Sequence, residues 1–218
     1  MPQLSCSPLG RNIYFMDKQL IIEKFGAAYI ANKLTYKMGI DLRLSDHLAL
    51  RFTNLIVLET CSGGGFSSIL LAKYAKHVYS FDINKNRIDE AKENSVRAGV
   101  DSKITFIHDD IYNGIKQSDV MDKIEASFID PDWADSGVNH VYKFIHSNTK
   151  PPSDHLLNMI LEINPNATLI QPPYIPLNEF SHLPNHELEC LYLDNSLELY
   201  CLHFGSLANF NRISKYKA

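Results

Sequence analysis

The sequence has no C-x-x-C pair, no long apolar run and no strong excess of charge of one sign. Its four cysteines, Cys6, Cys61, Cys190 and Cys201, are widely scattered, so neither a zinc site nor a disulfide framework is signalled and no metal is expected. Free thiols in a reducing compartment are the plain reading. A membrane span needs roughly 18 to 20 consecutive apolar residues, and none is found; the N-terminus also lacks a basic-then-apolar signal pattern. These absences lead us to expect a soluble, intracellular chain without a membrane partner, cytoplasmic, or nuclear if the cell is eukaryotic. The formal net charge of −4 supplies no global attraction to nucleic acid, so any such partner must be argued from a site. Oligomeric state is not legible here.

What is present is a 218-residue chain that is 45% hydrophobic, enough for one α/β domain with an extension. Residues 1–15, with Pro2, Pro8 and Gly10, read as irregular. In "DKQLIIEKFGAAYIANKLTYKMG" apolar residues recur at three- and four-residue steps, at Leu20, Ile21, Phe25, Ala28, Tyr29 and Leu34. That spacing predicts an amphipathic helix, with Gly26 as a point of breakage. From Leu55 onward strand and helix signals alternate: "LIVLE", "FSSILLAKYAK", "HVYSFDI", "KNRIDEAKENSVRAG", "ITFIH", a short polar turn region, "ASFID", "SDHLLNMILEI" and "ATLIQ". Such alternation implies right-handed crossovers and a mainly parallel, doubly wound α/β sheet. Gly99 is placed to end a helix as its C′ residue. "LECLYLD" and "LELYCLHFG", joined by a short Asn-Ser turn, predict an antiparallel C-terminal hairpin. The expected division is a helical extension over 1–50 and an α/β domain over 51–218.

The first predicted strand ends in "VLETCSGGGFSS", where Glu59 is followed by Gly63 and Gly65. Glycine lets a backbone turn sharply into a helix, here from about Phe66, and approach a ligand closely. The second strand ends at Asp82, where nucleoside-binding folds place an acid for ribose hydroxyls. The loop is neither G-x-G-x-x-G nor a phosphate loop with Lys-Ser/Thr. An acid at its head suits an amine-bearing ligand better than a pyrophosphate. S-adenosylmethionine fits, having an α-amino group, a sulfonium and a ribose but no phosphate.

The loop from Glu59 to Gly65, Asp82, the "FIHDD" after the third strand and the Asp-Pro-x-Trp after the fourth together resemble the successive motifs of class I S-adenosylmethionine-dependent methyltransferases. The resemblance covers about residues 50–206 and implies a Rossmann-like methyltransferase sheet. It implies that Gly63 and Gly65 lie under the methionine part of the cofactor, that Asp82 holds the ribose and that Asp110 with Ile111 borders the adenine, with Glu59, Ser62 and Ile83 also among the cofactor-binding residues. For His108 and Asp109 a half-buried histidine and a solvated carboxylate are expected, and for Cys61 a small apolar filler of the turn.

The "SFIDPDWADSG" stretch carries the chemistry. Methyltransferases acting on base amines have a similar Asp, Asn or Ser followed by Pro, usually a second Pro, and an aromatic after the fourth strand. A purine's exocyclic amine has its lone pair delocalised into the ring, so it is a poor nucleophile until acceptors hold its N–H groups. Asp130 and the Pro131 carbonyl could accept those hydrogens, the proline fixing the carbonyl's direction. Trp133, the only tryptophan, would stack the base. Within the class the chain resembles the trimethylguanosine synthase group of cap guanine-N2 methyltransferases, through "ETCSGGGFSSILLA", "SFDINKNRIDEAKENSVRAGVDSKITFIHDDIY" and "LELYCLHFGSL". That group's motif resembles Ser-Pro-Pro-Trp-Gly-Gly; Pro131 and Trp133 match it, while Asp130, Asp132, Ala134 and Asp135 depart from it.

The resemblance implies methyl transfer to guanine N2 of RNA, cap-like or internal, with RNA or a guanine nucleotide as partner. Transfer to another base, a protein or a small molecule stays open, as does a non-catalytic binding module. Asp132 or Asp135 could complement a cationic 7-methylguanine, for which Trp133 would offer a cation–π face, or could be solvated loop residues. Arg11, Lys18, Lys24, Lys33, Lys37 and Arg43 could meet phosphates or form a solvated face, and "QPPYIP" over 171–176 reads as a rigid loop near the site rim.

Overall fold

The structure, a computed structural model, describes residues 16–117, 120–133, 140–209 and 213–218. Cys6, Arg11 and the rest of the expected irregular N-terminus, together with Ala134 and Asp135, lie outside the described residues.

Before the sheet stand three short helices, α1 (Lys18–Phe25), α2 (Lys33–Met38) and α3 (Leu42–Ala49). The expected amphipathic helix does break at Gly26, which takes a left-handed φ of 77° and closes α1. It does not resume at once, so Ala28 and Tyr29 lie in a non-helical link. Asn32 then caps α2 by accepting from the Leu34 and Thr35 amides, with Thr35 completing a capping box. Leu20 and Leu34, expected on an apolar face, are largely exposed.

The remaining order is β1 (Ile56–Glu59), α4 (Phe66–Tyr74), β2 (His77–Asp82), α5 (Lys85–Ala98), β3 (Ile104–His108), α6 (Ile111–Gln117), β4 (Ala126–Ile129), α7 (Ser153–Ile163), β5 (Ala167–Gln171), β6 (His186–Leu193), β7 (Ser196–Phe204) and β8 (Ile213–Lys217). Among the described residues the sheet runs β3-β2-β1-β4-β5-β7-β6-β8. β1 to β5 pair in parallel, β7 enters antiparallel beside β5, and β6 pairs antiparallel with β7. The sheet is therefore the expected doubly wound one with an antiparallel C-terminal hairpin.

Three local expectations need correction. The polar region after β3 contains α6, whose first turn is stabilised by the Asp110 carboxylate accepting from the Tyr112 amide at 2.9 Å. The hairpin turns on Asp194 and Asn195, with φ of 49° and 67°, rather than on Asn-Ser; paired positive φ matches the twist of the flanking strands. β8, parallel to β6 at the sheet edge, was not expected, because "ISKYK" is short, basic and alternates exposed with half-buried residues.

The central strands are apolar on both faces because helices cover both. One layer places α3 and α4 against the sheet: Leu44, Leu48 and Phe52 share a core with Val57, Ile69, Leu71 and Phe128. The other centres on Phe81, Ile129, Leu157, Leu169 and Leu202. Behind the hairpin a buried polar cluster joins α3 to β6: Arg51, just after α3, donates to Glu187 at 2.9 Å and to Glu189 at 3.1 Å, and Glu189 also meets His203 at 3.0 Å and His47 at 2.8 Å. Those partners hold the Glu189 carboxyl well below the usual carboxylate range despite its burial. No helix among the described residues is long and apolar enough to cross a membrane.

Candidate active site

β1 and β4 are neighbours at the point where strand order reverses, and open α/β sheets bind ligands at the carboxyl ends of such strands. Both predicted motifs leave the sheet there. Gly63 and Gly65 adopt φ of 54° and 82°. A Cβ on Gly63 would meet nothing within 4 Å, whereas one on Gly65 would lie 2.8 Å from the Ala91 Cβ. Gly63 thus faces open space, and Gly65 allows α5 to pack against the start of α4.

That open space is a cavity of about 360 Å³, within the usual size range of small-ligand sites. Cys61, Ser62, Gly63 and Gly64 line one side, and Asp130, Pro131, Asp132 and Trp133 another. Leu34, Thr35, Met38 and Gly39 of the N-terminal helices close it. A second cavity, of about 370 Å³, lies between α1, α2, α3 and the hairpin, and Asp130 and Trp133 line it too.

The acids around the loop differ in what they touch. Glu59 is fully buried; its Oε2 accepts from Ser80 at 2.6 Å and from Ser68, while Oε1 has no partner. Burial pushes its carboxyl up to about 7 against the pull of those hydroxyls. Asp82 Oδ2 accepts from the Gly63 amide at 3.0 Å and Oδ1 from the Asn84 amide at 2.8 Å. Burial raises its pKa and the two amide bonds oppose the rise. Asp130 is held well above the usual range by burial first, then by Glu59 and Asp132. The Trp133 indole Nε1 is enclosed without a partner, and the ring meets Tyr142 edge-on at 6.5 Å.

Ser62, Gly63, Asp130, Pro131 and Trp133 therefore meet at one cavity, with Asp82 directly behind Gly63. Glu59, the last residue of β1, and Gly65, the N-cap of α4, are not among its lining residues. Ser62 is occupied internally, its amide and hydroxyl both donating to the Phe81 carbonyl. Ile83 is 69% exposed, Asp110 caps α6, and Ile111 is buried in the second core; none of the three is among the residues lining either cavity. Cys61 lines the cavity, with its thiol pushed up by burial. His108, expected half-buried, is exposed with its ring 3.1 Å from the Ile83 carbonyl, and Asp109, expected solvated, is half-buried and accepts from the Asp110 amide. Tyr174 of the "QPPYIP" loop is 75% exposed. Of the basic residues, Lys24 donates to the Tyr36 carbonyl and Arg43 pairs with Asp41 and Asp194. Lys37 lines both cavities, and Lys18 and Lys33 are exposed.

Sequence reasoning missed Tyr142, Lys150 and Phe66 on the cavity wall and the serines around Glu59. A serine at 80 inside an apolar strand, in register with Glu59, was the available signal. Tyr142 and Lys150 follow β4 in a stretch with no periodicity to read. No group of three metal-ligating side chains occurs among the described residues.

The residues fit a phosphate-free nucleoside cofactor: there is room in front of Gly63, and the Asp82 carboxylate is bonded to the Gly63 amide. A stretch of 77 residues is 32% identical to ribosomal RNA small subunit methyltransferase H of Oenococcus oeni, covering 35% of this chain and 24% of that protein. Among solved structures, a presumed methyltransferase from Porphyromonas gingivalis W83 superposes with a TM-score of 0.69 at 13% identity, over 87% of this chain and 48% of the other. An rRNA methylase from Streptococcus thermophilus superposes with a TM-score of 0.51 at 16% identity, over 75% and 96%. The chain thus spans about a quarter of the curated relative and about half of the Porphyromonas chain. The two superpositions establish the fold. The family model described as RNA cap guanine-N2 methyltransferase matches residues 54–201, and the chain belongs to that family.

Proposed function

We propose that the protein transfers a methyl group from S-adenosylmethionine to an exocyclic amine of RNA, most specifically guanine N2 in a cap-like or internal position. The observation that carries this reading is the shared wall: Asp130 and Trp133 line both cavities, so a ligand in each would meet across them. The cofactor would occupy the cavity before Gly63, with Asp82 accepting from ribose hydroxyls and Glu59 lying below the amino-acid part. The base would stack on Trp133, an interaction of about 1–3 kcal/mol. Asp130 and the Pro131 carbonyl would accept its amine hydrogens; a carboxyl oxygen accepts in either protonation state, so burial of Asp130 does not remove that role.

Alignment of amine, methyl and sulfur can contribute about 7–11 kcal/mol, against about 1.5–3 kcal/mol for one charge-assisted hydrogen bond. The enzyme would act chiefly by holding its reactants. The helices before residue 51 would serve as an extension that closes both cavities. An RNA acceptor is supported by the family description and by the ribosomal RNA named for the Oenococcus relative.

The test is incubation with isotopically labelled S-adenosylmethionine and total RNA, followed by nucleoside mass spectrometry. Label in N2-methylguanosine is expected. Label in another nucleoside would replace the guanine assignment, and label in protein alone would remove RNA as acceptor.

A further inference from the structure

We infer that Asp132 and Arg87 form a clasp that positions Trp133 and couples it to Asp82; the inference rests on the reading above, in which Asp82 takes the cofactor and Trp133 the base. Asp132 stands where the resembling motif has its second proline. A proline has no N–H to donate. Here the Asp132 amide donates to the Lys150 carbonyl at 2.9 Å, and the Lys150 amide donates back at 2.8 Å, closing an isolated antiparallel bridge. That bridge fixes the backbone of the residue between Pro131 and Trp133.

The side chain is held separately. Arg87, in the first turn of α5, places Nη2 3.5 Å from Asp132 Oδ2 and Nη1 4.0 Å from Asp82 Oδ2. Its side chain is only 19% exposed, so solvent ions screen these pairs less than surface ones. One guanidinium therefore faces both the carboxylate behind the glycine loop and the carboxylate before the indole. Asp82 Oδ2 also accepts from the Gly63 amide, which places the loop in the same network. A hydroxyl donating to Asp82 withdraws charge from Arg87, whose hold on Asp132 changes in response. Coupling of this kind is reciprocal, so a base on Trp133 alters cofactor affinity by the same factor. A proline at 132 would lose the side-chain pair with Arg87 and the amide bond to the Lys150 carbonyl, keeping only the bond that the Lys150 amide donates. Asp132 and Arg87 act through Trp133 and Asp82, and are positioning residues.

Trp133 is the chain's single tryptophan, so its emission reports on this point alone. The full chain is titrated with S-adenosylhomocysteine while emission is followed, calorimetry records affinity in the same buffer, and acrylamide quenching is measured without ligand. In the wild type the emission should change on binding. Arg87→Gln and Asp132→Asn should bind within about fivefold of wild type, the range that a part-exposed ion pair accounts for, yet lose the emission change. Both should be quenched more readily without ligand, and Arg87→Lys should keep part of the response. Asp132→Asn retains the backbone bridge, so the fold is kept. Binding without an emission change in the wild type, or equal changes in all proteins, overturns the clasp and leaves the cofactor assignment standing. If the wild type does not bind, the cofactor assignment falls, and unchanged quenching in both variants then overturns the clasp by itself.

Discussion

The Gly63 amide donates a 3.0 Å hydrogen bond to the Asp82 carboxylate, tying the loop after β1 to the end of β2. The same acid also accepts from Asn84 at 2.8 Å, so it is oriented before any ligand arrives. Pre-orientation lowers the cost of binding a diol. Asp82→Ala should therefore weaken S-adenosylhomocysteine binding by more than about tenfold, the loss of a charge-assisted bond and of the loop tie. Unchanged calorimetric affinity would place the ribose elsewhere.

The two special glycines separate folding from binding. Gly65→Ala would press a methyl to 2.8 Å from the Ala91 Cβ at a φ of 82°, and should cost about 1–3 kcal/mol of stability in urea unfolding. Gly63→Ala meets no neighbour within 4 Å and carries only the left-handed penalty of about 1–2 kcal/mol. Its methyl would nevertheless stand in the cavity, so cofactor affinity should fall by more than about tenfold while the fold persists. Full affinity in Gly63→Ala would mean that no ligand approaches the loop.

Glu59 gives stability a distinctive pH dependence. Its folded-state value of about 7 lies above the 4.5 of a free glutamate, so between these values the native state holds a proton that the unfolded chain has released. The group's stabilisation is complete below pH 4.5 and is lost as pH rises through about 7. The loss should be about 3 kcal/mol. Glu189 and His203, both shifted down, act with the opposite sign, so the measurement must be a difference. Urea unfolding across this range should show the wild type falling relative to Glu59→Gln. Parallel profiles would mean that Glu59 is already ionised throughout.

Trp133→Ala should abolish methyl transfer and leave S-adenosylhomocysteine affinity nearly intact, because the indole lies on the wall shared with the second cavity. Trp133→Phe should keep part of the rate, since a phenyl ring still stacks. Turnover retained in Trp133→Ala would make the indole a packing residue of the core it touches.

The parallel sheet was legible because β1, β2, β4 and β5 are apolar runs bounded by helix-length segments, and Gly99 does close α5 with a left-handed φ of 69°. The N-terminal helices were not legible in detail: Asn32 restarts the helix through capping bonds, which outweigh the apolar spacing that carried the expectation through Ala28 and Tyr29. At the site, Gly63 and Asp130 could be placed because both leave strand ends at the reversal of strand order. The clasp could not, because Arg87, Asp132 and Lys150 meet only through tertiary structure, and an arginine in the first turn of a polar helix has no distinguishing local pattern. The same holds for Arg51 with Glu187 and Glu189, which lie about 140 residues apart in the chain.

The central claim is most directly tested by single-turnover transfer from labelled S-adenosylmethionine to a 7-methylguanosine cap analogue, to its unmethylated counterpart and to total RNA, with the product nucleoside identified by mass spectrometry. The account predicts label on guanine N2 and its loss in Trp133→Ala. Absence of label from both analogues and from RNA, with S-adenosylhomocysteine binding verified in the same sample, would contradict it.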